Sequence, residues 1–201
     1  MSEALKNMYN QQYVSDLAAA IVKEYPVFDG EAFAARVLDE GWQTRELKQR
    51  MRHITVVLHD FLPADYRAAL HVLRKAAPAL DEYGFQNMVF SDYAAVYGLD
   101  DWEASLPALE QFTRQVSAEF AVRPFIVRDR DRMMAQMLAW ARDKDARVRR
   151  LATEGCRPRL PWGIGLPALK ADPLPFAWPC PQKPWSLPTS CAVRSASVPG
   201  K

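Results

Sequence analysis

The stretch DKDARVRRLATEGCRPRLPW, residues 143–162, decides the fold. Val148, Leu151 and Ala152 recur at the i, i+3, i+4 spacing that gathers apolar side chains on one helical face. Asp143 is set to close the preceding helix and Gly155 to end this one. The pattern is one turn of a stacked-helix repeat. Arg147, Arg149, Arg150, Arg157 and Arg159 crowd the same turns, and Trp162 follows Pro158 and Pro161. Guanidinium groups this close repel one another unless an anion meets them, which points to a phosphate-binding face.

The helical period continues upstream. Met134, Met137, Leu138 and Ala141 stripe the preceding helix, and Leu106, Leu109, Phe112 and Val116 stripe an earlier one. Between them lies SAEFAVRPF, residues 117–125, read as a short helix that Pro124 ends or kinks. Val14, Leu17, Ala18 and Ile21 mark the first helix; Phe33, Val37 and Leu38 follow, with Gly41 as a stop. Leu47, Met51, Ile54 and Leu58 mark a longer helix, then come Tyr66, Leu70 and Leu73, and Val89, Tyr93 and Val96. No sustained period-two alternation suggests a strand. The predicted fold class is all-α. Helix pairs of about 30–40 residues stack as a HEAT-like solenoid, because a single pair cannot bury its apolar side. Second helices of successive pairs then share a surface, which sets Glu119 and the Arg147–Arg150 turn on a common face. The solenoid is expected over residues 1–172. Residues 173–201 hold 7 of the 15 prolines and two of the three cysteines without helical periodicity, and are read as an irregular Pro-rich tail.

Composition narrows the function. The chain is 49% apolar with a net charge of +2, yet residues 1–122 carry 11 basic and 18 acidic side chains whereas 123–159 carry 11 and 5. Positive potential is thus concentrated beside the arginine cluster, where it would attract a polyanion in a salt-dependent way. No apolar run approaches the ~20 residues of a membrane span, and MSEALKNMYN lacks the features of a signal peptide, so the expected compartment is the cytoplasm. Cys156, Cys180 and Cys191 have no CxxC spacing, and His53, His59 and His71 are irregularly placed. Neither a disulfide framework nor a metal site is expected. With no Walker loop, Rossmann turn or Ser/His/Asp grouping, no cofactor is expected either.

SAEFAVRPF at 117–125 and VRRLATEGCRPRLPW at 148–162 resemble the paired motifs of the AlkC branch of the AlkC/AlkD DNA alkylation-repair glycosylases, which are built from HEAT-like repeats. The similarity runs from near the N-terminus to about Asp172, is weaker before Asp100 and is absent after Pro175. It implies that a monomer excises positively charged N-alkylated bases, of the 3-methyladenine or 3-methylcytosine type, from double-stranded DNA without fully extruding them. An alkylated base that already carries a positive charge is a good leaving group. The protein must then stabilise an oxocarbenium-like sugar and supply water, for which a carboxylate flanked by aromatic faces is suited. Glu119 is accordingly the candidate catalytic carboxylate, Trp162 the candidate stacking residue, and Arg149, Arg150, Arg157 and Arg159 the candidate phosphate ligands.

Plainer roles stand beside these. Glu119 also fits a surface pair with Arg123 at i, i+4, Arg150 a pair with Glu154, and Trp162 a core aromatic between repeats. The tail departs from the family: PFAWPCPQKPWSLPTSCAVRSASVPGK lacks the further acidic residue that the family places in the repeat after RPRLPW. It resembles a shifted reading frame or a truncated gene, so DNA binding with impaired excision is expected of this chain. Two other functions fit a helical solenoid, a non-catalytic DNA binder and a protein-binding scaffold, and salt dependence separates them.

Overall fold

The computed structural model describes residues 5–171. Among the described residues the chain is helical with short connections and no strand: α1 Gln11–Glu24, α2 Gly30–Val37, α3 Leu47–Phe61, α4 Tyr66–Ala76, α5 Met88–Tyr97, α6 Trp102–Thr113, α7 Val122–Arg128, α8 Arg130–Trp140, α9 Ala146–Glu154 and α10 Pro167–Ala171. The Pro-rich segment read from residue 173 onward lies outside the described residues.

Acidic and amide side chains start most of these helices. Asn10, Asp29, Asp65, Asp101, Asp129 and Asp145 each precede a helix and accept a backbone N–H from its first turn, at 2.8–3.2 Å. Such caps satisfy donors that the helix leaves unpaired, each typically contributing ~1 kcal/mol. At α3 the same job falls to a capping box, in which Gln49 accepts the N–H of Glu46 at 2.8 Å and Glu46 accepts from the first turn.

Helices stack in two rows. One runs α1, α4, α6 and on to the α8–α9 pair; the other runs α3, α5, α7. Sequential neighbours α5 and α6, and α7 and α8, pack on one another across the rows, and α8 packs on α9. Between the rows lies a continuous core that includes Tyr13, Leu17, Phe33, Ile54, Leu73, Phe90, Phe112, Phe125, Trp140 and Leu151. Polar ends of core aromatics find partners: the Trp140 indole donates to Glu110 at 3.0 Å and that of Trp102 to the Leu99 carbonyl at 2.8 Å.

Four local expectations are corrected. Pro124 does not end a helix but sits in the first turn of α7, where its missing N–H has no intrahelical partner to lose. Residues 117–121, including Glu119, therefore form the turn before α7. Asp143 lies beyond the end of α8 and accepts the N–H of Asp145, the residue that caps α9. The buried stripe of α8 is Met133, Met137 and Trp140; Met137 is as expected, but Met134, Leu138 and Ala141 are only half-buried. Gly41 does not stop α2, which ends at Val37; it opens a short 3-10 turn over Trp42–Thr44. Gly155 does end α9, but with right-handed φ of −58°. Its lack of a side chain serves packing, because a Cβ there would lie 2.7 Å from a Val122 methyl carbon.

Candidate functional site

Arg123, in the first turn of α7, organises the region. It is fully buried, and its fork reaches four carbonyls: Nε donates to Ile164 at 2.5 Å, Nη1 to Gly155 at 3.1 Å and Arg157 at 2.8 Å, and Nη2 to Pro158 at 3.4 Å. Only a planar group with several donors serves four acceptors at once. Desolvation lowers its pKa, a cost the carbonyl dipoles offset. The pairing of Arg123 with Glu119 is thus overturned, since the guanidinium points inward and holds the 155–164 segment. Gly163 completes the fit; a Cβ there would stand 3.2 Å from the Arg123 side chain.

Freed from Arg123, Glu119 faces Arg150. One Glu119 carboxylate oxygen accepts from Arg150 Nη1 at 3.2 Å and from the Ser117 hydroxyl at 3.1 Å. Its side chain is 18% exposed against 49% for Arg150, so the acid is sheltered while its cation remains open to solvent. The expected Arg150–Glu154 pair is not formed. Glu154 instead accepts from Arg157 at 2.9 Å.

Trp162 is no core residue. Pro161 and Trp162 occupy the centre of a turn closed by the Gly163 N–H donating to Leu160 O at 3.0 Å. Proline at the second position and positive φ at the third describe a type II turn, where glycine is the usual occupant. Trp162 has φ of 63°, the one non-glycine residue with positive φ among the described residues. Trp162 is 55% exposed. Holding a bulky aromatic in this backbone region costs about 1–2 kcal/mol, the kind of local strain found at binding sites.

The remaining cations divide. Arg149 directs Nη1 at the carbonyls of Asp143 (3.0 Å) and Lys144 (2.9 Å), steadying the turn before α9. Arg147 and Arg159 are exposed and make no side-chain hydrogen bond or ion pair among the described residues.

A residue that local sequence does not single out joins these parts. Lys48, in the first turn of α3, donates to the Trp162 carbonyl at 2.6 Å and lies 5.3 Å from the centre of the Phe120 ring. Desolvation lowers its pKa, with Arg52 acting the same way and Asp92 opposing. Next to it, Arg52 grips the buried Asp92 through two bonds of 2.8 Å. Lys48, Gln49, Met51, Arg52, His53 and Val56 line an open depression of about 460 Å³. No spacing rule links positions 48 and 162; only the stacking of α3 in the same row as α7 brings them together. Phe120, beside Glu119 in the motif, reads from sequence as an ordinary apolar position.

The Glu119–Arg150 pair and the Phe120–Lys48–Trp162 contacts thus adjoin through the Glu119–Phe120 peptide. Arg157 is tied to Glu154 at the base of the same loop. Such a surface offers a sheltered carboxylate, aromatic faces and exposed guanidinium groups, which together suit a cationic or oxocarbenium-like centre flanked by phosphates. Among the described residues no group of three or more His, Cys, Asp or Glu side chains is disposed to hold a metal ion, and no helix is long and apolar enough to cross a membrane.

No family model matches the chain. It is 47% identical over 171 residues to the uncharacterized protein YhaZ of Bacillus subtilis (strain 168), a match covering 85% of this chain and 47% of that protein. Among solved structures it is similar to Pseudomonas fluorescens alkylpurine DNA glycosylase AlkC bound to DNA containing an abasic site analog, with a TM-score of 0.81 and 39% identity over 86% of this chain and 48% of that one. The fold is AlkC-like. The chain spans about half the length of the relatives it matches.

Proposed function

We propose that this chain acts in DNA alkylation repair as a glycosylase module that grips duplex DNA across a lesion and hydrolyses, with impaired efficiency, the N-glycosidic bond of positively charged N-alkylated bases. The observation that carries this reading is Glu119, sheltered in the turn before α7 and held by Ser117 and Arg150 beside the Phe120–Lys48–Trp162 contacts. The similarity to a glycosylase structure with abasic-analogue DNA supports it.

The chemistry follows from the substrate's charge. As the C1′–N bond breaks, its electron pair leaves with the base and neutralises the alkylated ring, while positive charge develops on the sugar. Glu119 stabilises that charge and takes a proton from the water that attacks C1′. Trp162, turned outward by its backbone, stacks on the lesion or its sugar, since an indole face favours cations. Arg150, Arg157 and Arg159 hold phosphates, and Arg149 does so with the donors left free by its two carbonyl contacts.

Glu119→Gln tests the assignment, using release of 3-methyladenine from methylated duplex DNA and binding to an abasic-analogue duplex. The expected result is release reduced about a hundredfold or more with binding retained. Equal release by both proteins removes Glu119 from the mechanism. Binding by the parent without any release favours a non-catalytic DNA binder.

A further inference from the structure

Two anchors hold the 155–164 segment, and they come from different halves of the chain. Arg123 secures it from within through four carbonyls. None of those belongs to Trp162, whose carbonyl accepts instead from Lys48, 114 residues away in sequence. Trp162 is also where the backbone is least comfortable, with φ of 63°. A residue in this region drifts to negative φ unless its flanking peptides are fixed, and that drift would swing the side chain away. Pro161 fixes the peptide before it. On the following side, the Gly163 N–H bonds to Leu160 O, and the carbonyl of the same peptide group is the one that Lys48 holds. The Phe120 ring under the ammonium restricts where Lys48 can go, so that donor is itself placed.

We infer that Lys48 is a positioning residue for Trp162: clasped between the Phe120 ring and the Trp162 carbonyl, it locks the 160–163 turn so that the indole stands out from the surface. This deepens the proposed function, because it makes α3, in the first half of the chain, responsible for the aim of a side chain that meets the lesion. It predicts that Lys48 acts on DNA binding through the indole rather than through a phosphate of its own.

The test has an arm without DNA and an arm with it. In the free protein, NMR hydrogen exchange at the Gly163 amide should quicken about tenfold in Lys48→Met and return towards the parent rate in Lys48→Arg, while amides of α1 keep their rates. An unchanged Gly163 rate in Lys48→Met, or a rise shared by α1, overturns the inference. In the second arm, affinity for a duplex carrying a tetrahydrofuran abasic analogue is measured for Lys48→Met, Trp162→Ala and the double variant. Lys48→Met should weaken binding about tenfold alone and have little further effect once Trp162 is alanine. Fully additive losses mean that Lys48 meets DNA by itself, which also overturns the inference. A parent that does not bind the duplex contradicts the proposed function instead, and the exchange arm then decides the role of Lys48 alone.

Discussion

At the level of single residues, Trp162 separates a built recognition surface from a packing accident. A tryptophan in the core, such as fully buried Trp140, costs about 3–5 kcal/mol when truncated to alanine. Trp162 should behave differently, being half-exposed and in a backbone region suited to glycine. We expect Trp162→Gly to lose less than about 1 kcal/mol in urea unfolding, since relief of left-handed strain offsets the lost contacts, while affinity for abasic-analogue DNA falls. A loss as large as that of Trp140→Ala would return Trp162 to a structural role. Sequence hinted at this residue only through Pro158 and Pro161 before it, which set it on a connection between helices; the turn that exposes it was not evident there. Arg123 was not legible in the same way. Its position four residues after Glu119 suggested a surface pair, because helical spacing says who is near on one helix and nothing of where a neighbouring loop presents its carbonyls. Cys156 shows the converse: burial pushes its thiol up to about 12, which keeps it protonated and unreactive at neutral pH, as a core cysteine should be.

At the level of elements, the helices were largely readable because their signals are local. Apolar spacing located α1, α3, α4, α6 and α9, and the Asp and Asn caps confirm where most begin. What failed were boundaries governed by backbone donors rather than by side-chain pattern: Pro124 reads as a stop, yet in a first turn no hydrogen bond is lost. Asp101 illustrates how a cap and a tertiary contact combine. It caps α6 through the Ala104 N–H and binds Arg67 of α4 at 2.5 and 2.9 Å, and the Arg67 hydrogen bond holds its carboxyl below the usual carboxylate range. Because the folded value is lowered, this contribution is present above the unfolded carboxylate pKa of about 3.9 and is lost as pH falls through the folded value. Asp39, held down by Arg45, and Asp16, held down by Tyr83, act in the same direction. Asp101→Asn retains a good cap but cannot titrate, so its loss of stability between pH 7 and pH 3 in urea unfolding should be smaller than the parent's. An equal loss in both proteins would show that the Arg67 contact carries no pH-dependent stability.

At the level of the whole molecule, topology brings cations from distant parts of the chain together. The basic excess of residues 123–159 lies in α7, α8, α9 and their loops, and stacking of the helical rows adds Lys48 and Arg52 from α3 to the same region. The candidate acid, indole and arginines could be picked out because they fall in two short motifs. The contribution of α3 could not, because it depends on which helices share a row, a property of the packed molecule rather than of any window of sequence. The central claim is that Glu119 and Trp162 face one duplex together. Amide exchange footprinting of the chain with and without a duplex carrying an abasic analogue tests it most directly. The account predicts that protection appears jointly in residues 117–123, 160–166 and the first turn of α3 at Leu47–Met51. Protection confined to the opposite row, over α1 and α4, or reaching only one of the two motifs, would contradict it.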